Sequence, residues 1–320
     1  MLVIAHRGAS ARRPEHTLAA YRLAVAEGAD AVEPDVVATR DGALVVRHEN
    51  EVSGTTDVAA RPEFAGRRTT KTVDGRAVTG WFTEDLTLAE VKTLRAVERL
   101  PGLRPRSAAY DGQFEVPTLD EVVALAAELG AARGRPVGVY PEVKHPGHFR
   151  RIGLPLEAPL VETLRQWGLD GRDDPAWVQS FEPGSLELLR GLTRLRLVQL
   201  VGPEGAPADR PEQTFRDLTT ARGLATVATY ADVLGPATSM VLDGALAPTP
   251  LVADAHRAGL AVHAWTVRPE NAFLPPPLRT GGEPDAWGDL AGHVRALAAA
   301  GVDGLFTDAP AEALAALGRG

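Results

Sequence analysis

The chain contains no cysteine, which excludes disulfides, thiolate metal sites and cysteine nucleophiles without fixing a compartment. Nowhere do about 18 uncharged apolar residues run together, the length a membrane-crossing helix needs, so no stable membrane insertion is expected. Basic residues are outnumbered: 34 Lys and Arg stand against 42 Asp and Glu, for a net charge of −8. With no broad face of clustered Lys and Arg, a general nucleic-acid binder is excluded. The opening "MLVIAHRG" has neither the basic nor the apolar region of a signal peptide. The expectation is a soluble cytoplasmic protein as written, periplasmic or secreted if a signal peptide has been removed. Nothing in the sequence points to an oligomeric state.

What is abundant is glycine, 32 residues, and proline, 25, the composition of many tight connections. A chain of 320 residues with 44% hydrophobic content could form two small domains or one large α/β barrel, a fold that commonly takes ~250 residues plus insertions. Its rhythm decides between them. Short apolar runs fall near Leu2–Ala5, Ala31–Val37, Pro136–Val143, Trp177–Phe181, Leu195–Val201, Ser239–Leu242, Leu260–Val267 and Val302–Phe306.

Helical signals lie between these runs. "TLDEVVALAAELG" offers Thr118 as a cap with Glu121 three residues on, an apolar face of Leu119, Val122, Val123 and Ala126, and Gly130 as a stop. Thr87 and Glu90 repeat the device, and an early helix places Leu18, Tyr21 and Val25 on one side. Eight strands alternating with helices predict a parallel sheet closed into a TIM-type (β/α)8 barrel, a single domain over 1–320. The stretch 50–115 breaks the alternation and reads as an insertion at the barrel mouth, after the second strand region. "RPENAFLPPPLRTGGEPDAWGD" reads as a second loop, stiffened by prolines.

The chemistry gathers where strands end. In "AVEPDVV", Glu33 and Asp35 are two apart, so an extended chain points both carboxylates to one side, and Pro34 between them cannot donate to a ladder. "YPEVKHP" repeats the arrangement with Glu142 and Lys144. Like charges this close need a cation or a shared proton. Three acidic oxygens with no soft ligand and no HExxH spacing suit Ca²⁺ or Mg²⁺, whereas solvated residues balanced by Arg7 and Lys144 are the plainer alternative. His6 and His48 also end apolar runs, and two histidines can pass protons near neutral pH while Arg7 and Lys144 face a phosphate.

The segments "IAHRGAS", "PEHTLAAY", "GADAVEPDVVATRDGALVVRHE", "YPEVKHP", "VHAWTV" and "GVDGLFTDAP" resemble, in order and across nearly the whole chain, the signature of glycerophosphodiester phosphodiesterases. The long stretch after His48, with "VQSF" and "YADVLGP", most resembles the bacterial subgroup typified by a periplasmic enzyme. The resemblance implies a barrel hydrolase that converts deacylated phospholipids, small-molecule glycerophosphodiesters, to glycerol 3-phosphate and an alcohol. Glu33, Asp35 and Glu142 would then hold the metal, Arg7 and Lys144 would contact phosphate, and His6 and His48 would be the acid–base pair. It also points to attack by the neighbouring glycerol hydroxyl through a cyclic phosphate that water later opens; direct attack by metal-bound water is the competing mechanism, and the residues alone fit both.

Gln179, Phe181 and Trp265 lie at expected strand ends and could line the glycerol pocket, with core packing the alternative for the two aromatics. Asp308 reads as a cap for the last helix. Glu15, His16 and Thr17 read as the capping segment of the first, with Glu15 placed to brace the site. Two rival functions are a related phospholipase D-type barrel, whose membrane-facing loops should be apolar or basic rather than polar, and a non-catalytic barrel binding protein. The second should lack a histidine or a metal carboxylate, and none is missing.

Overall fold

The computed structural model describes residues 1–319. Eight parallel strands follow one another along the chain. They are β1 (Leu2–His6), β2 (Ala31–Glu33, resuming after Pro34 as Asp35–Ala38) and β3 (Gly138–Val139, resuming after Tyr140 and Pro141 as Glu142–Val143). The others are β4 (Trp177–Ser180), β5 (Arg196–Val201), β6 (Val233–Pro236), β7 (Ala261–Val267) and β8 (Gly304–Thr307).

Each strand pairs with its sequence neighbours, and β8 pairs back onto β1. The step from β2 to β3 is made twice, once by the first halves (Val32 opposite Val139) and once by the second (Asp35 opposite Glu142). The sheet therefore closes on itself as the expected (β/α)8 barrel. Both interruptions fall at prolines, which lack the N–H a ladder requires. Their carbonyls still accept: Glu142 N–H donates to Pro34 O and Gln179 N–H to Pro141 O, each at 2.9 Å.

Apolar side chains fill two layers. The larger cluster lies between strands and helices, and it takes in Val52, Phe64, Trp81, Leu86 and Leu94 from the 50–115 stretch, so that stretch shares the barrel's core. A smaller cluster fills the barrel's centre. There Tyr140 stacks on Trp177 at 5.2 Å between ring centroids, meets Phe306 edge-on at 5.0 Å, and bonds through its hydroxyl to His263 Nδ1 at 2.8 Å. The 50–115 stretch carries a hairpin (Thr69–Val73 with Arg76–Gly80) and two short helices, Leu88–Val91 and Pro105–Ala108, the first with the Thr87/Glu90 capping box. Among the described residues no helix is long and apolar enough to cross a membrane.

Three local expectations are corrected. The sixth strand is Val233–Pro236, and the apolar run Ser239–Leu242 instead begins within a short helix, Thr238–Val241. A strand ending in Gly-Pro reads locally as a turn, and only pairing with β5 and β7 makes it extended. The helix begun by Thr118 runs through Gly130 to Arg133 and stops at Gly134, which adopts the left-handed conformation at φ 69°. Gly130 is retained inside it because a Cβ there would press within 3.1 Å of Val137 N. In the first helix, Leu18–Ala26, Tyr21 and Val25 are buried as expected but Leu18 is exposed.

The turn after β1 depends on Gly8. Its φ is 90°, and a Cβ would lie 2.7 Å from the Ala20 backbone carbon. Gly8→Ala is expected to lower stability by about 1–2 kcal/mol or more, since it adds a left-handed penalty to a steric one. Thermal unfolding of the variant against the wild type checks this, and an unchanged melting temperature would contradict it.

Candidate active site

The barrel's register brings the polar strand ends into one place. His6 lies opposite Glu33, Asp35 opposite Glu142, and Glu142 opposite Gln179. One carboxylate oxygen from each of Glu33, Asp35 and Glu142 lies within 4.8 Å of the others, and all three residues are buried. Arg7 takes a left-handed conformation (φ 60°), which aims its backbone N–H at Glu33 Oε2, 2.9 Å away.

Donors surround the carboxylates without neutralising them. Gln179 Nε2 donates to Glu33 Oε1 at 3.0 Å and Lys144 Nζ to Glu142 Oε1 at 2.7 Å. His16 Nε2 lies 2.8 Å from Asp35 Oδ2 and its Nδ1 2.7 Å from the Tyr21 hydroxyl, which itself donates to Glu33 O at 3.2 Å; burial lowers the pKa of the ring. Burial and the neighbouring Asp35 and Glu142 charges hold the Glu33 carboxyl well above the usual range. Glu142 is pushed up to about 7 by burial and by Asp35, against the pull of Lys144. Asp35 stays low because Lys144 and His16 outweigh its burial.

Such a set is short of positive charge, and Asp35 Oδ1 is buried without a hydrogen-bond partner. The oxygen-only donors fit a hard divalent cation.

Each candidate histidine has a carboxylate on Nδ1. His6 Nδ1 lies 2.6 Å from Asp308 Oδ1, and His48 Nδ1 lies 2.5 Å from Glu49 Oε1. Donating Nδ1–H to a carboxylate selects the tautomer whose Nε2 is an open base. Burial, with the nearby Arg7, lowers His6 to about 4; burial, with Arg7 and Lys144, lowers His48 to about 3. An arriving phosphate dianion or monoanion would raise both, since it opposes those cations.

His6, Arg7, Glu33, His48, Glu142, Lys144, Gln179, Phe181 and Trp265 all line one cavity of about 280 Å³, floored by Leu200 and Phe306 from the barrel core. Asp35 sits against its wall, with Arg7 Nε 3.5 Å and Lys144 Nζ 3.7 Å from its oxygens. Gln179 spends its amide on Glu33 but keeps Oε1 buried and unpartnered, an acceptor for an incoming hydroxyl. Trp265 is anchored through Nε1–H to Gly235 O at 2.8 Å and meets Phe181 edge-on. A second cavity of about 740 Å³ shares His48, Glu142, Lys144, Phe181 and Trp265 with the first and is walled by the hairpin residues Val73, Asp74, Arg76 and Val78.

Asp308 is not the cap expected. The last helix, Pro310–Ala316, starts from Ala309 without a side-chain cap, and Asp308 turns inward to His6. Thr17 does cap the first helix, whereas His16 leaves it to hold Asp35. Glu15 braces Arg7, accepting from NH1 at 3.1 and 3.2 Å. Sequence reasoning missed Glu49, Arg99, Arg104 and Arg268. Arg268 lines the cavity with Nε 3.2 Å from Asp308 Oδ2. Glu49 was legible as the neighbour of His48; the arginines carry no local signal.

The glycerophosphoryl diester phosphodiesterase family matches residues 6–312. A glycerophosphodiester phosphodiesterase of Arabidopsis thaliana is 35% identical over 95% of this chain and 82% of its own length. One from Haemophilus influenzae is 29% identical over 83% of this chain and 79% of its own. Among solved structures, a glycerophosphoryl diester phosphodiesterase assigned by similarity in Silicibacter pomeroyi superposes with a TM-score of 0.70 at 25% identity, over 99% of this chain and 93% of that one. An Oleispira antarctica phosphodiesterase, in complex with the product sn-glycerol-3-phosphate, superposes at 0.65 and 23% identity, over 99% and 97% of the two chains.

The carboxylate cluster makes a testable demand. Glu33→Gln removes a charge that burial and two neighbours already oppose, so the metal-free protein should melt within a few degrees of the wild type. The rise in melting temperature on adding Ca²⁺ or Mg²⁺ should shrink, since binding to the folded state is what produces it. Calorimetric titration and thermal shift check both arms; undiminished cation binding would remove Glu33 from the ligand set.

Proposed function

This chain belongs to the glycerophosphoryl diester phosphodiesterase family, and we propose that it hydrolyses glycerophosphodiesters to glycerol 3-phosphate and an alcohol, using a divalent cation, Ca²⁺ or Mg²⁺. The observation that carries this reading is the single cavity lined by two carboxylate-backed histidines, the three cations Arg7, Lys144 and Arg268, and Glu33 and Glu142 of the acidic cluster. Relatives named for this activity, and the product held by the Oleispira protein, support the substrate class.

In the proposed roles, Glu33, Asp35 and Glu142 hold the cation, which supplies positive charge to the phosphate oxygens. Arg7 and Lys144 face the phosphate from the strand ends, where their guanidinium and ammonium groups are kept charged by buried carboxylates. His6, with its Nδ1–H on Asp308, takes the proton from the attacking hydroxyl. His48, protonated once the bound phosphate raises its pKa, gives a proton to the departing alcohol, for which the adjoining 740 Å³ cavity on its side has room, and water then opens the resulting cyclic phosphate to glycerol 3-phosphate. Gln179 Oε1, Phe181 and Trp265 present one acceptor and an apolar face to the glycerol. We further assign residues 50–115 a covering role, because the hairpin walls that outer cavity.

Turnover of glycerophosphocholine should vanish on chelation and return with Ca²⁺ or Mg²⁺ better than with Zn²⁺. Full activity in a verified metal-free preparation would refute the cation's part. His48→Ala should lower kcat by about 10²–10⁴-fold, with the loss shrinking when nitrophenol is the leaving group. Lys144→Ala should harm both substrates alike. If 50–115 restricts the site to deacylated substrates, phosphatidylcholine should turn over far more slowly than glycerophosphocholine; comparable rates would contradict the covering role.

A further inference from the structure

The 50–115 stretch sends two arginines into the site from a single turn. In "RLPGLRP" the Leu100 carbonyl accepts from Leu103 N–H at 2.9 Å and Arg104 N–H at 2.8 Å, while Leu100 N–H donates to Glu98 Oε1. The turn is thereby closed, with Arg99 leaving on one side and Arg104 on the other. Arg104 begins the Pro105–Ala108 helix and is 6% exposed.

The two side chains end on the two carboxylates that bind the histidines. Arg99 donates to Glu49 from NH1 at 3.0 Å and from NH2 at 2.6 Å, and Glu49 is bonded to His48 Nδ1. Its Nε and NH2 also grip Glu15 at 2.9 and 2.8 Å, the carboxylate that holds Arg7. Arg104 donates from NH2 to Asp308 Oδ2 at 2.6 Å, and Asp308 Oδ1 is bonded to His6 Nδ1. It also donates to Glu270, at 2.7 and 3.2 Å, and to Ser10 O at 3.0 Å.

We infer that Arg99 and Arg104 are positioning residues for the two histidines, so that one turn of the 50–115 stretch sets the orientation and tautomer of both. This rests on the proton-transfer roles given above to His6 and His48. The physical reason is geometric. A carboxylate can swivel about its own torsions, so a histidine bonded to it is oriented only if the other carboxylate oxygen is also held; Arg99 holds Glu49 with a two-pronged guanidinium fork, while Arg104, its fork seated on Glu270, gives one N–H to Asp308 Oδ2, an oxygen that Arg268 Nε also faces at 3.2 Å. Each chain has three members in the same order, arginine, carboxylate, imidazole. A purely tethering role for the arginines would need no histidine at the far end of either chain.

The test uses metal-saturated, full-length protein. Arg99→Ala and Arg104→Lys are made, the second because removing the charge beside buried Glu270 and Asp308 could unfold the chain; Asp308→Asn is a further variant that keeps Arg104. Arg61→Ala, which breaks the Asp57 pair within the same stretch, is the control expected to leave activity unchanged. Folded Arg99→Ala and Arg104→Lys should lose about 10–100-fold in kcat on glycerophosphocholine. KM should stay within about twofold.

The Arg99→Ala loss should shrink with a nitrophenol leaving group, in parallel with His48→Ala, while the Arg104→Lys loss should be equal on both substrates. Imidazole proton–nitrogen NMR, with His6 and His48 assigned by substitution, should show Nδ1–H signals that shift or vanish for His48 in Arg99→Ala and for His6 in Arg104→Lys and Asp308→Asn. Folded variants that keep wild-type kcat and both Nδ1–H signals would overturn the inference. If His48→Ala loses equally on both substrates, the role assigned to His48 is wrong, and the NMR signals alone decide whether the arginines position the rings.

Discussion

Three buried carboxylates with oxygens within 4.8 Å of one another are the constraint to which the rest of the site answers. At such separations in a low-dielectric interior, mutual repulsion is a matter of several kcal/mol, so the cluster exists only because other groups hold it. The responses can be read residue by residue. Lys144 is placed on Glu142, His16 on Asp35, Gln179 and the Arg7 backbone on Glu33. Strand pairing itself carries the three inward, with His6 opposite Glu33, Asp35 opposite Glu142 and Glu142 opposite Gln179, and Pro34 and Pro141 still accept there through their carbonyls.

The same logic extends outward in a second ring. Arg7 and Lys144 gain positive charge for the cavity but need carboxylates to stay buried, and Glu15 serves Arg7. Glu15 in turn is shared with Arg99, and Asp308 with Arg104. Each of these two carboxylates is thus matched by an arginine from the 50–115 stretch. That is how residues 50–115, which break the strand–helix rhythm, come to be part of the barrel's electrostatics as well as of its apolar core.

The barrel and the residues at its strand ends were legible because both depend on short-range patterns. Alternating apolar runs and helical caps announce the fold, and the spacing of two in Glu33–Asp35 and Glu142–Lys144 announces a shared direction. What stayed hidden depends on long-range placement. Asp308 reads as a cap because Asp before Ala-Pro commonly is one, and only closure of β8 against β1 brings it to His6. Val233–Pro236 is extended because strands on both sides make it so. Arg99 and Arg104 lie in a stretch rich in arginine, and nothing nearby in sequence separates these two from Arg61 or Arg67, which pair at the surface.

The aromatic layer of Tyr140, Trp177 and Phe306 has a consequence for traffic. It fills the barrel's centre beneath the inner cavity, whose rim is shared with the outer one at His48, Phe181 and Trp265. In the roles proposed above, the glycerol phosphate lies deep against the acidic cluster and the leaving alcohol lies toward that shared rim, so the two products occupy different depths of one funnel.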